Sequence, residues 1–193
     1  MHLFDLTHRL GPATPVFPGD PPVEVRVLRD LARGDLYALR ELTLSNHAGT
    51  HVDAPAHVIP GGLTVDRLPL ELWIGEAFLV EREDLPSTPL GGVGRLLVAG
   101  CAEGLPAGEA RRIAEAGVRL LGVDGMSVDP RGSGELPNHR VLLGAGAVLI
   151  ENLRLEGVPR GWGRLYCLPL AVEGGDGAPA RVVWEAEGRG RDA

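Results

Sequence analysis

Several short runs of the chain alternate apolar and polar positions, the pattern of strands buried on one face. Leu3–His8 reads as a first strand, Val23–Leu28 as a second and Leu36–Ser45 as a third. A hairpin through Ala32–Asp35 joins the second to the third, and its Arg33-Gly34-Asp35 tripeptide is read as an ordinary turn. Pro60-Gly61-Gly62 makes another turn, a helical turn follows Pro69, and Glu76–Glu81 is a further strand. Beyond it the pattern changes. Arg95–Ala99, Val118–Val123 and Ala147–Glu151 are short runs, apolar almost throughout, as strands covered on both faces are. Between the first two, Pro106–Ala116 predicts the clearest helix. It has proline at its start, good helix formers through it, Ala110, Ile113 and Ala114 on one face, and Gly117 to end it. Strand, helix and strand in that order imply a βαβ unit with parallel strands and a right-handed crossover. Asp124 ends the second of these strands, where α/β sheets place their sites. A short helix closing over Leu142–Gly146 and strands near Arg164–Leu168 and Arg181–Glu185 complete the pattern. Residues 186–193 read as a frayed tail. With no repeat and no linker, the expectation is one α/β domain over residues 1–193, with a mixed central sheet and few helices.

The punctuation is dense, with 28 glycines and 16 prolines spread along the chain. The stretch Gly11–Pro22 can be neither helix nor central strand and predicts a stiff loop. Phe17 sits at its centre. An aromatic held out on a rigid loop makes a substrate platform, and an aromatic folded back makes core; the sequence leaves both open.

Charge and composition remove several function classes. A net charge of −7 disfavours nucleic acid or an anionic membrane as partner and leaves a small-molecule substrate. All 19 basic residues are arginine, so Schiff-base chemistry and a Walker-type lysine are excluded. No G-x-S-x-G stretch marks a serine hydrolase. Cys101 and Cys167 lie in or beside apolar runs with no C-x-x-C pairing, which predicts buried, reduced thiols in a cytoplasmic protein. The start Met-His-Leu-Phe-Asp lacks the pattern of a signal peptide, and no apolar run is long enough to span a membrane.

Three of the six histidines fall within His47-Ala-Gly-Thr-His51-Val-Asp53-Ala-Pro-Ala-His57. Imidazole and carboxylate together suit a borderline divalent metal such as zinc. On a helix, at ~100° per residue, Asp53 and His57 would point well away from His47 and His51. On a straight strand all four would share a face, yet spread over about 33 Å at ~3.3 Å per residue. The chain must therefore bend, and Gly49 and Pro55 stand where bends are wanted. His51 and Asp53, two apart, then grip one ion, and His47 reaches it past Gly49. The result is a two-histidine, one-carboxylate site with open positions, as in catalytic centres. His57, beyond Pro55, stands off the metal as an acid–base group.

Asn46–His57 resembles the signature of the cyclase-like metal hydrolases, a family that includes bacterial kynurenine formamidases. The resemblance continues in order through Asp5-Leu-Thr, Pro15–Asp20, Gly122–Pro130, Asn138-His139 and Val148–Leu153, and so covers nearly the whole chain. It implies a swivelling β/β/α-type fold and two divalent ions per subunit, zinc first and manganese as the alternative. By that resemblance His47, His51 and Asp53 hold one ion. Asp53 bridges to a second ion held by His139 and Glu151, and His57 is the general acid/base. Phe17 would bind the substrate, although the formamidases usually carry tryptophan there. Ala99–Gly104 is also shorter than the arginine-containing loop usual at that point. A homodimer or higher homo-oligomer is implied, with the Pro15–Pro22 loop as a candidate contact. The activity implied is amide hydrolysis, N-formyl-L-kynurenine giving L-kynurenine and formate. An isatin-hydrolase-like enzyme of cyclic or other small amides, using manganese, is the alternative. A metal- or ligand-binding protein without turnover is the third reading.

Overall fold

The computed structural model describes residues 2–106 and 108–186. Its ten strands are β1 (His2–Asp5), β2 (Glu24–Arg29), β3 (Leu39–Thr43), β4 (His51–Asp53), β5 (Ile74–Glu81), β6 (Arg95–Ala99), β7 (Leu120–Val123), β8 (Val148–Glu151), β9 (Gly161–Pro169) and β10 (Gly177–Ala186). Two α-helices, α1 (Glu109–Glu115) and α2 (Pro137–Gly144), follow β6 and β7. Eight strands form one sheet in the order β1-β10-β4-β8-β7-β6-β5-β9. β10 also pairs with β9, which closes the sheet on itself into a barrel. The sheet is mixed as expected: β5, β6, β7 and β8 run parallel, and the other pairings are antiparallel.

The apolar runs are explained by two cores. Strand side chains alternate between faces, so Leu97 and Ala99 of β6, Leu120 of β7 and Val148 and Ile150 of β8 join one cluster with Leu6, Val52 and Trp184. Their neighbours Leu96, Val98, Leu121, Val123 and Leu149 join a second cluster, against Ala110 and Ile113 of α1 and Leu142 and Leu143 of α2. Strands packed on both faces have no position free for a polar residue, hence the unbroken runs. The βαβ unit β6–α1–β7 is present, with β6 and β7 parallel neighbours.

Several boundaries differ from expectation, each for a local reason. The first strand ends at Asp5 rather than His8, because the Thr7 side chain takes over the pairing: its hydroxyl donates to Val182 O at 3.1 Å and accepts from Val182 N at 2.9 Å. Helix α1 begins at Glu109 rather than Pro106, because Gly108 adopts a left-handed conformation. α2 spans Pro137–Gly144 rather than Leu142–Gly146. Ala186, expected in the frayed tail, is the last residue of β10; the tail residues 187–193 lie outside the described residues. Cys101 and Cys167 are both free and buried.

Candidate metal centre

β4 is only three residues long and wholly buried between β8 and β10. His51 and Asp53 are two apart and share a face. Glu151 of β8 lies directly opposite His51, and so joins the same face. His47 reaches them because Gly49, at φ +65°, turns the chain where any other residue would be strained. His139 enters from the first turn of α2. Each histidine has one ring nitrogen committed outside the group, which fixes the atom it presents inward. His51 Nδ1 donates to Gly49 O at 2.9 Å, leaving Nε2 at 3.3 Å from Asp53 Oδ1 and 3.6 Å from Glu151 Oε2. His139 Nδ1 bonds Asp129 Oδ2, leaving Nε2 at 3.4 Å from Asp53 Oδ2 and 3.3 Å from Glu151 Oε1. His47 Nε2 lies 3.0 Å from Asp176 Oδ2, and its Nδ1 faces Asp53 Oδ1 at 2.8 Å.

All five expected ligands are thus brought together, in two overlapping groups: His47–His51–Asp53 and Asp53–His139–Glu151. Within each, the donor atoms lie within 4.8 Å of one another. The residues fit divalent ions on two grounds. Asp53 is 1% exposed, and its Oδ2 has no hydrogen bond, a costly state for a carboxylate unless a cation takes it. The donor set, imidazole and carboxylate with no thiolate, is that of zinc, manganese and their neighbours.

The electrostatics show how strongly the site favours positive charge. Burial opposes protonation of His47, yet the carboxylates of Asp53 and Asp176 outweigh it and raise the ring to about 9. Burial likewise opposes charge on His139, and Asp129, Asp53 and Glu151 raise it to about 12. His51 is raised against its burial by Asp53 and Glu151. Burial alone would lift Asp53, but the imidazoles around it, His51 first, hold it well below the usual carboxylate range. Divalent cations would answer the same demand.

His57 lies on a 3-10 turn, Pro55–His57, begun by the expected bend at Pro55. Its Nδ1 is 2.9 Å from Asp176 Oδ2, and its ring stands 4.3 Å from that of His47, centroid to centroid. With the five expected ligands it lines a cavity of about 280 Å³, shared with Asp20, Met126, Ser127, Leu136 and Asn152. Phe17 completes that lining, 50% exposed, at the rim rather than in the core. A second cavity of about 580 Å³ adjoins it across Phe17, Met126, Ser127 and Leu136. Ala102, from the segment after β6, borders this second space.

Asp124 is not brought into the site. Its carboxylate accepts from Gly100 N at 2.8 Å and Cys101 N at 2.7 Å, holding the loop after β6. Asp129 and Asp176 are the functional residues missed by the sequence analysis. Asp129 accepts from Asn138 N at 2.7 Å and from the His139 ring, capping α2 and orienting the expected ligand it carries. A ligating histidine almost always donates its second nitrogen to a carboxylate, carbonyl or water, which calls for such acids without saying which ones serve.

A mixed barrel with converging imidazoles and carboxylates and an adjoining cavity fits a metal-dependent hydrolase. The family model for cyclases matches residues 4–93. The kynurenine formamidase of Salinibacter ruber is 38% identical, over 95% of this chain and 97% of its own length. A solved structure described as a potential metal-dependent hydrolase with cyclase activity superposes with a TM-score of 0.81 at 25% identity, covering 97% of this chain and 99% of that one. Isatin hydrolase A from Ralstonia solanacearum shares the fold, with a TM-score of 0.78 at 21% identity over 96% and 92% of the two chains. The chain belongs to the cyclase family of metal-dependent hydrolases, the family of the bacterial kynurenine formamidases.

Proposed function

We propose that this protein is a kynurenine formamidase, hydrolysing N-formyl-L-kynurenine to L-kynurenine and formate with two divalent ions, zinc first and manganese as the alternative. One observation carries the two-ion reading: Asp53 turns Oδ1 toward His47 and His51 and Oδ2 toward His139, so a single carboxylate serves two donor groups. The relatives named kynurenine formamidase favour the substrate.

When bound, such ions supply the Lewis acidity that makes water a nucleophile near neutral pH and polarises a carbonyl. The chain's own residues do the rest. His47, His51, Asp53, His139 and Glu151 hold the ions, and the Asp129 carboxylate keeps the His139 ring turned toward them. His57, beside the donors and bonded to Asp176, is the acid–base group that passes a proton to the departing aniline nitrogen. Phe17 presents its ring face to the aryl group at the cavity rim.

The fold shared with isatin hydrolase A supports a second reading, opening of a cyclic amide with manganese at the same donors. Binding without turnover is the weaker third reading, since it gives His57 no task. The buried free thiols favour a reducing, cytoplasmic setting. A homodimer is the assembly we favour. The β2–β3 hairpin supports it, because Leu28, Leu31, Leu36, Tyr37, Leu39 and Leu42 are all exposed there. Among the described residues no helix is long and apolar enough to cross a membrane.

Turnover of N-formyl-L-kynurenine, isatin and simple formanilides, each with zinc and with manganese, tests the proposal. Formyl-kynurenine should be the preferred substrate. Preference for isatin would establish the second reading, and no turnover of any would overturn the assignment.

A further inference from the structure

Asp176 stands immediately before β10, and its neighbour Gly177 pairs with Asp53. Its backbone carbonyl accepts from Ala54 N at 2.8 Å, so the residue is tied to the strand that carries the ligands. Its side chain has three partners. Oδ1 accepts from Asn46 Nδ2 at 2.6 Å. Oδ2 takes both His57 Nδ1 at 2.9 Å and His47 Nε2 at 3.0 Å. An ionised carboxylate only accepts, so both rings must donate to it. Each ring then has its tautomer set by the same oxygen. His47 donates from Nε2 to Asp176 and turns Nδ1 toward Asp53 Oδ1 at 2.8 Å, the side on which the expected ion would meet it. His57, protonated at Nδ1, keeps the lone pair of Nε2. Gly177 makes room for this arrangement: a Cβ there would lie 2.5 Å from His47 Cε1 and 2.6 Å from Val52 O.

We propose that Asp176 is a positioning residue, whose one carboxylate oxygen orients both the metal ligand His47 and the acid–base group His57. The inference rests on the function proposed above. It adds that ligand and acid–base group are set by one shared partner, so the metal and the proton transfer depend on the same residue. Asn46 holds the other oxygen and fixes the carboxylate's rotation. The role is not one of core packing, because the Asp176 side chain is 42% exposed.

The test is Asp176→Asn, with Asp176→Ala beside it, in the zinc-loaded protein. The amide keeps the shape but offers one acceptor oxygen and a donor: with its oxygen toward the rings the Asn46 bond fails, and with its nitrogen toward them both ring bonds fail. A partner of a metal-ligating histidine typically accounts for about 10- to 100-fold in metal affinity or activity. Zinc affinity by chelator competition should fall by about that factor, and kcat by a similar factor while KM stays within about twofold. Nitrogen-15 NMR of the histidine rings should show His57 as the Nδ1–H tautomer in the wild type and as a mixture in both variants.

Unchanged zinc affinity and an unchanged His57 tautomer in Asp176→Ala, which leaves no acceptor for either ring, would overturn the proposal. So would a third ion per chain in the wild type, lost in the variant, since His47, His57 and Asp176 would then be a metal site of their own. If the wild type hydrolyses none of the amides, the proposed function fails. The zinc affinity and the ring spectra still decide the role of Asp176.

Discussion

The corner where β4, β8 and β10 meet and the hairpin of β2 and β3 differ in what holds each residue. At the corner, register, tautomer and rotamer are all set by the chain itself: Glu151 faces His51 across a strand pair, and each ring is tied by its second nitrogen. Among the described residues the two strands of the hairpin pair only with each other, in a separate two-stranded sheet. Leu36 is 95% exposed, and the ion pair Arg26–Glu41 joins two exposed side chains, an arrangement that contributes little. A lone hairpin is marginal in water. The contrast teaches that the chain specifies its chemistry internally and leaves the apolar surface of the arm exposed.

The largest effect should come from breaking the corner at its shared member. Asp53→Ala should retain neither ion and show no turnover above background, as measured by elemental analysis and assay. Retention of one ion would show that the two donor groups are independent. Gly177→Ala forces a methyl against the His47 ring and the Val52 backbone, and should cost about 1–3 kcal/mol in thermal or denaturant unfolding. The same change at Gly34, where no heavy atom lies within 4 Å of the added carbon, meets only the strain of its φ of +84°.

A smaller effect concerns the metal-free protein. His47 is raised from 6.5 to about 9 in the fold, so its bound proton stabilises the native state fully below pH 6.5. That contribution is lost as pH rises through about 9. Chelator-stripped protein should lose melting temperature over this window, and metal-loaded protein should not. The smallest effect on the fold belongs to the arm. Leu36→Ser with Leu42→Ser should change the stability of the single chain by no more than about 0.5 kcal/mol, yet convert a dimer to monomer in light scattering. A wild type that is already monomeric would leave the exposed leucines without a partner and remove the dimer.

Legibility in the sequence follows the range of the interactions. The βαβ unit was readable because each strand is an unbroken apolar run and the helix between them has its own signals. Closure of the barrel was not, since it rests on β9 meeting β10 along a register running from Ala180–Pro169 to Ala186–Gly163, which no local pattern announces. The start of α2 was also hidden. Leu136 enters it in the left-handed region, at φ +49°, and the capping group, Asp129, lies eight positions before the helix. At the site, the dense stretch His47–His57 declared its chemistry through residue type and bends. His139 and Glu151 were legible only through family resemblance, and Asp124 misled because a strand-end acid can brace a loop instead of facing the cavity. Asp176 was invisible because its importance comes from β10 lying beside β4.

The central claim is that five residues hold two ions while His57 stands apart from them and moves the proton. Metal content and turnover of His57→Ala, measured on the same preparation as the wild type, test it most directly. Two ions per chain should be found in both proteins, with kcat lowered about 10²- to 10⁴-fold in the variant. One ion in the wild type, or an ion missing from His57→Ala, would contradict it.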